Sequence, residues 1–371
     1  MMTRDRKMLV LCAAIVVCLL AMPGCTTPSA AADGKPPGFY KSKEAVRVAE
    51  TMLLAQRNTG GWSKGYDEKR KLTEADKKKL LSQKTLRDST FDNGATHTEM
   101  RYLAKVYNAT KDERYKKAFV RGVEFMLSAQ FPNGGWPQTH PGGRGYHRDI
   151  TFNDNAMTEV VALLKDITED KKAFGLVDEK LRARCSKAMT KGIELILKVQ
   201  IVVNGKKTAW CAQYDKRNLE PRGARTYELA SISGFESIGV IKLLMSIDNP
   251  PPEIIDAIQC AVAWFDRSKL EGIKVVRRED KSAPRGFDQF VVKDPSAPPI
   301  WARFYDIQTN EPIFCRRSGK RVKTYAGLSA ERRTGYTWLY PFATEFLAKD
   351  YPAWQKKWAP GKNVLKKAAK K

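Results

Sequence analysis

The chain is 371 residues long, carries a formal net charge of +25 and is 42% hydrophobic. That length suffices for one large domain or two small ones, and the basic excess selects polyanionic partners: nucleic acid, anionic lipid or acidic polysaccharide. The cysteines lack metal-ligand spacing and do not ask for disulfides, which an exported protein permits: Cys12, Cys18 and Cys25 sit at the start, and Cys185, Cys211, Cys260 and Cys315 are scattered.

In chain order, Arg4, Arg6 and Lys7 precede an apolar run from Met8 to Met22. This is a signal peptide over residues 1–31, too short and wrongly flanked for a membrane span. Cleavage is expected near Ser29–Ala32. The alternative is a lipid on Cys25, although Met22 and Pro23 fit a lipobox poorly. The expectation is an exported protein, periplasmic or extracellular. For such a protein an acidic polysaccharide is the best fit of the three polyanions, and nucleic acid is not expected.

Three segments then repeat: "EAVRVAETMLLAQ" (Glu44–Gln56), "AFVRGVEFMLSAQ" (Ala118–Gln130) and "AMTKGIELILKVQ" (Ala188–Gln200). In register they align a basic residue, a Glu, a Leu and a final Gln, at a period of about seventy residues, which marks a repeated supersecondary unit. Each has helical periodicity; in the second, Tyr115, Ala118, Phe119, Gly122, Val123, Met126 and Leu127 form one apolar stripe. Further helices are predicted over Asn93–Asn108, from Asn155 to Asp166, and near Leu328–Leu347, with "AIQCAVAWFDRSK" (Ala257–Lys269) as a worn fourth copy. Strand signals are few and confined to loops. The architecture expected is therefore all-α: an α/α toroid, or incomplete α/α barrel, of helical hairpins with long loops on one face. It should span residues 32–352 as one domain, followed by a flexible basic tail over 353–371.

The loops after each Gln run to a Trp: "QRNTGGW" to Trp62, "QFPNGGW" to Trp136 and "QIVVNGKKTAW" to Trp210. Gly-Gly after a helix is a cap and turn signal, and the tryptophans are read as packing residues. Beyond them lie "TFDNGATHTEM" with Asp92 and Asn93, and "TFNDNAMTEV" with Asp154 and Asn155. Helix capping accounts for either pair alone. It does not account for the equivalent later loops, which carry Arg222 and Arg225, then Arg303, Arg316 and Arg317. Two carboxylates and several arginines on one rim fit a hard cation such as calcium and a substrate rich in carboxylates. A metal on a uronate carboxylate acidifies the adjacent C–H, the bond broken in β-elimination. His97, His140 and His147 are read as incidental.

Together "AQRNTGGWSKGYD", "AQFPNGGWPQ", "TFNDNAMTEV", "RTYELASISGFES", "WARFYDIQTNEPIFCRR" and "ERRTGYTWLYPF" resemble the pectate lyases of polysaccharide lyase family ten, over about Ala45–Leu347. The resemblance implies an α/α toroid and calcium-dependent anti-β-elimination of polygalacturonate by an arginine base. Carried over by position, it implies Arg225 as the catalytic base, Asp92 and Asp154 at the Ca2+ centre, and Asn93, Arg303 and Arg317 as substrate binders. The plain alternative for Arg225 is a salt bridge to Glu228. Two departures stand out: Gln138 where Lys is expected, and Ser318 where an Asp often follows the arginine.

A triterpene cyclase shares Q-x-x-x-G-x-W on a toroid but needs an acidic motif that is missing. A paired-carboxylate glycoside hydrolase would use Asp92 and Asp154 as acid and base without calcium. A non-catalytic polyuronate-binding protein would keep the rim without turnover. The protein is expected to act as a monomer with no protein partner.

Overall fold

A computed structural model describes residues 34–365; the leader with its cleavage and lipidation sites lies outside them. The repeat emerges as paired helices. These are α1 (Lys43–Ala55), α2 (Glu74–Ser82), α3 (His97–Thr110), α4 (Glu113–Ala129), α5 (Ala156–Glu169), α6 (Glu179–Lys198), α7 (Glu236–Met245) and α8 (Pro252–Arg267). The stripe predicted on α4 is buried, with Phe119, Val123 and Met126 inaccessible to solvent. Side chains start the helices: Ser42, Asp112 and Asp178 each accept a backbone N–H at the N-terminus of α1, α4 and α6. Successive hairpins stack, α3 on α5 on α7 in one row and α4 on α6 on α8 in the other.

The glutamine that ends each repeat explains its recurrence. Gln56 Nε2 donates to Gly60 O at 2.7 Å and to Ala118 O at 2.8 Å. Gln130 does the same to Gly134 and Ala188, and Gln200 to Thr208 and Ala257. One amide thus closes its own loop and ties it to the next unit. Gly60 and Gly134 have φ of 98° and 97°, and a Cβ there would meet the carbonyl of Arg121 or Lys191 at 2.3 or 2.2 Å, so only glycine fits. The tryptophans pack as expected: Trp62, Trp136 and Trp210 are fully buried, and their indole N–H groups donate to Met52, Met126 and Ile196 at 2.8 Å. Truncating one to Ala would cost roughly 3–5 kcal/mol. Trp301 bonds Phe265 O at 2.9 Å in the same way, which confirms the fourth copy.

The all-α expectation is overturned: helix makes up 45% and strand 13%, in several antiparallel sheets, so the fold is mixed and not an all-α toroid. The strands are β1 (Ile150–Thr151), β2 (Val202–Val203), β3 (Lys206–Lys207), β4 (Gln213–Tyr214), β5 (Pro221–Arg222), β6 (Ile232–Ser233), β7 (Ile273–Glu279) and β8 (Phe287–Lys293). They continue with β9 (Trp301–Ala302), β10 (Phe304–Tyr305), β11 (Phe314–Cys315), β12 (Arg321–Val322) and β13 (Leu339–Tyr340). The cause is loop length. Buried connections must pair their own N–H and C=O groups, and they do so with one another: β1–β4–β5, β6–β10 and β9–β13 all join loops of different units. Hairpin β7–β8 pairs seven residues on each side, Ile273 with Lys293 through Glu279 with Phe287.

The helix predicted near Leu328–Leu347 breaks into α9 (Ala330–Gly335), extended chain through β13, and a π-helical turn Phe346–Asp350 that leads into α10 (Tyr351–Trp358). Pro341 and the paired β13 interrupt it. The basic segment from 353 begins inside α10, where Trp354 is buried. Lys362 O accepts from Gln259 at 2.7 Å, so structured chain extends beyond the expected domain end.

Candidate active site

Each buried tryptophan also anchors the turn downstream of it. Its carbonyl accepts from Thr90 N at 2.8 Å in the first unit, Thr151 N at 3.1 Å in the second and Ser233 N at 2.7 Å in the third. Counted from those residues, Asp92, Asn153 and Phe235 share one position, and Asn93, Asp154 and Glu236 the next. The backbone agrees, because Asn93 and Asp154 both take left-handed conformations with φ of 50° and 49°. Asp154 therefore corresponds to Asn93, one residue off the pairing with Asp92 that the sequence invites. The same register brings in Glu236, which sequence reasoning missed. Its available signal was Ser233-x-x-Glu236 ahead of an apolar run, a capping-box spacing; Ser233 Oγ accepts from Glu236 N at 3.0 Å.

The two turns lie against each other, and the second lies against α7. Gly239 on α7 permits that approach, since a Cβ there would sit 2.0 Å from Asn155 Oδ1. Asp92 is buried; its Oδ2 accepts from Lys64 Nζ and from Asn93 Nδ2, while Oδ1 is buried with no hydrogen-bond partner. Asp154 accepts from Asn153 Nδ2 at 2.8 Å. Arg303 Nη2 donates to Glu236 Oε1 at 2.5 Å and lies 3.9 Å from Asp154 Oδ1. Arg303 lies over the rings of Phe235 at 4.6 Å and Tyr336 at 5.2 Å, and its Nε has no partner.

Burial, with Glu236 beside it, raises the Asp154 carboxyl, and Arg303 opposes that rise. Burial also works to lower Arg303, but Glu236, Tyr336 and Asp154 outweigh it and hold the guanidinium above its ordinary value. The site is thus a largely shielded cation bonded to Glu236, with the Asp154 carboxylate 3.9 Å away.

Arg225 joins this centre through Tyr336, whose ring lies against both arginines. Its Nε donates to Glu228 Oε2 at 2.8 Å and its Nη2 to Oε1, the salt bridge held open as the plain alternative. That bidentate contact raises the Arg225 pKa. Tyr336 links the two arginines: its hydroxyl donates to Glu228 at 2.7 Å, and its ring lies 5.5 Å from Arg225 as well as 5.2 Å from Arg303. Arg317 is farther out, exposed and bonded to Glu331, and its carbonyl accepts from Thr226 Oγ1 at 2.6 Å. The structure thus brings Asp92, Asn93, Asp154 and Arg303 together, sets Arg225 beside them, and leaves Arg317 on the outer rim.

Lys64 is a second residue not anticipated. Two positions after Trp62, it corresponds to Gln138 after Trp136. The lysine expected at 138 has its counterpart one unit earlier, and Gln138 is buried. His97 is buried and pushed down to about 3 by desolvation, which makes its neutral imidazole a weak proton acceptor. Among the described residues, no three His, Cys, Asp or Glu side chains form a ready-made metal cage. The donors that do converge, Asp154 and Asn93 with the orphaned Asp92 oxygen, are all hard oxygens. They suit calcium if substrate oxygens and water complete the shell.

Comparison with known proteins gives the class of the enzyme, a polysaccharide lyase. The family model for pectic acid lyase matches residues 56–347, and the chain belongs to that family. Among solved structures, a mutant family 10 polysaccharide lyase from Cellvibrio cellulosa in complex with trigalacturonic acid is 33% identical. It superposes with a TM-score of 0.73, covering 86% of this chain and 94% of that one. A second structure of a family 10 polysaccharide lyase from the same organism is 33% identical with a TM-score of 0.71, covering 85% and 92%. No curated protein sequence matches the chain. Membership in a lyase family weighs against the hydrolase and cyclase alternatives.

Proposed function

We propose that the protein cleaves de-esterified polygalacturonate by calcium-dependent anti-β-elimination, releasing unsaturated oligogalacturonides outside the cytoplasm. The observation that carries this reading is the guanidinium of Arg303 fixed between Glu236 and Asp154, beside the oxygens of Asn93 and Asp92. The trigalacturonic acid held by the similar lyase supports an acidic polysaccharide as substrate.

Asp154 and Asn93, with Asp92, would hold the ion. Bound there, calcium would withdraw electron density from a galacturonate carboxylate and acidify the neighbouring C5–H. The base takes that proton; the C5–H electron pair becomes the C4–C5 double bond, and the C4–O bond breaks toward the departing chain. An arginine base is demanding because a free guanidinium stays protonated. The residue must meet an already acidified carbon in a dry, rigid setting. Arg225 has the rigid setting: Glu228 holds it bidentately, and the rings of Tyr227 and Tyr336 back it.

The sequence resemblance points to Arg225 for this step; one edge of that guanidinium, Nε and Nη2, faces Glu228, and Nη1 lies outside that contact. We therefore assign the base to Arg225 and read Arg303, paired with Glu236, and Arg317 as carboxylate binders. Bidentate arginine contacts suit uronates. The deciding experiment is the ultraviolet absorbance of product from polygalacturonate, with calcium and after chelation. Only a lyase makes an unsaturated uronide. A rise in reducing ends without absorbance would refute elimination, and polymer binding without either signal would leave a non-catalytic binder.

A further inference from the structure

The hairpin β7–β8 belongs to no repeat and is the longest sheet among the described residues, so its placement asks for a reason. It packs on α9, where Asp288 accepts from Arg333 Nε at 2.9 Å. On α9, Glu331 accepts from Arg317 as well as Arg332. The Arg317 carbonyl in turn accepts from Thr226, the residue after Arg225. An unbroken set of contacts thus runs from the reaction centre to the hairpin.

Cations line that route. A side chain on Gly335 would begin 3.3 Å from Arg332, 3.6 Å from Glu331 and 3.9 Å from Arg285, which places the hairpin-tip guanidinium beside the Arg317–Glu331 pair. Arg278 is exposed and lies 5.1 Å from the Phe290 ring, which also backs Arg333 at 5.5 Å. Among the described residues neither Arg278 nor Arg285 has a carboxylate within 4.0 Å, whereas Arg317 and Arg333 do. Aromatic backing fixes the guanidinium plane, which favours planar, bidentate carboxylates over a diffuse charged surface.

We propose that Arg278 and Arg285 form a distal strip, continuous with Arg317, that holds uronate carboxylates of the polymer beyond those seated at the reaction centre. This rests on the polyuronate reading above. A long acidic chain would lie across the strip; a trimer confined to the centre would not reach it. The strip then sets a preference for long substrates without touching the bond that breaks.

The test is the double variant Arg278→Gln/Arg285→Gln, with Arg278→Lys/Arg285→Lys as the charge-retaining control. Initial rates are measured on trigalacturonate and on long polygalacturonate at low salt. The ratio of kcat/KM, polymer over trimer, is expected to fall roughly three- to tenfold in the Gln variant, and by less in the Lys variant. A ratio within twofold of wild type overturns the proposal. Affinity electrophoresis in gels containing polygalacturonate and chelator reads the strip without turnover. Weaker retardation of the Gln variant supports it even if no unsaturated product ever forms, which would defeat the lyase reading alone. Equal retardation overturns it. Loss of binding to anionic phospholipid vesicles with unchanged polymer retardation also overturns it, in favour of a membrane surface.

Discussion

Arg303 donates to Glu236 across 2.5 Å; Glu236 is buried, and 12% of the Arg303 side chain is exposed. A buried cation without its partner is costly, on the order of 3–5 kcal/mol. Glu236 therefore acts on the reaction through Arg303, by holding the guanidinium in its place beside Asp154. Glu236→Gln keeps the shape and removes the charge. It should lower the unfolding temperature and raise KM more than it lowers kcat. Wild-type kinetics in a destabilised Glu236→Gln protein would make the pair purely structural.

The two candidate bases separate by kinetics. Arg225→Lys should lose roughly 10²–10⁴ in kcat, the range for a general base, at nearly constant KM. Arg303→Lys should raise KM more than it lowers kcat, since a lysine cannot reproduce the planar fork that suits a carboxylate. The reverse pattern in single-turnover rates would move the base to Arg303.

Metal dependence is tested by removal and return. Chelation should abolish formation of unsaturated product, and calcium should restore it. Asp154→Ala should raise the calcium concentration needed for half-maximal rate or end turnover. Asn93→Ala should do the same to a smaller extent, because it gives up a neutral oxygen and not a charge. A fully active chelated protein would dismiss the ion altogether.

The helices were legible because burial leaves a period: the stripe on α4 and the recurring Gln and Trp each have one dominant physical cause. The strands were not, because two-residue pairings such as β6 with β10 arise from loops meeting across units, a relation no local pattern encodes. In the site, Asp92, Asn93, Asp154 and Arg303 were legible as loop residues ahead of helices. Glu236 was not, because its unit replaces the Asp-Asn turn with "SGFE" and hides the equivalence. Lys64 was passed over for a similar reason, since attention fell on the glutamine at its counterpart, Gln138.

A buried acid away from the chemistry gives a pH signature in stability. Glu99 on α3 accepts from Tyr66 Oη at 2.8 Å, its other oxygen has no partner, and burial pushes its carboxyl up to about 7. Between an unfolded value near 4.5 and that folded value, the folded protein holds a proton that the unfolded chain has released. Stability from this group is thus complete below the unfolded value, declines as pH rises toward the folded one, and levels off above it. Glu99→Gln lacks this dependence. Relative to that variant, wild type should lose on the order of 3 kcal/mol between pH 4.5 and pH 7.5. Denaturant melts across that range check it, and a constant difference would show that Glu99 is ionised throughout.

The final prediction comes from charge at the cleft. If Arg303, Arg317 and calcium read galacturonate carboxylates, methyl esterification removes both the charge that binds and the oxygen that would reach the ion. Polygalacturonate and low-methyl pectin should then be cleaved much faster than highly methylated pectin. Rising salt should raise KM more than it lowers kcat. Arg317 is exposed, with a side-chain accessibility of 66%, and exposed charges are screened over roughly 10 Å at 0.1 M. Arg303, at 12%, is shielded and should keep its hold on the substrate at high salt. Initial rates on a methylation series at two ionic strengths measure both effects together. Equal or faster cleavage of the highly methylated polymer would mean that the rim arginines serve something other than carboxylate recognition.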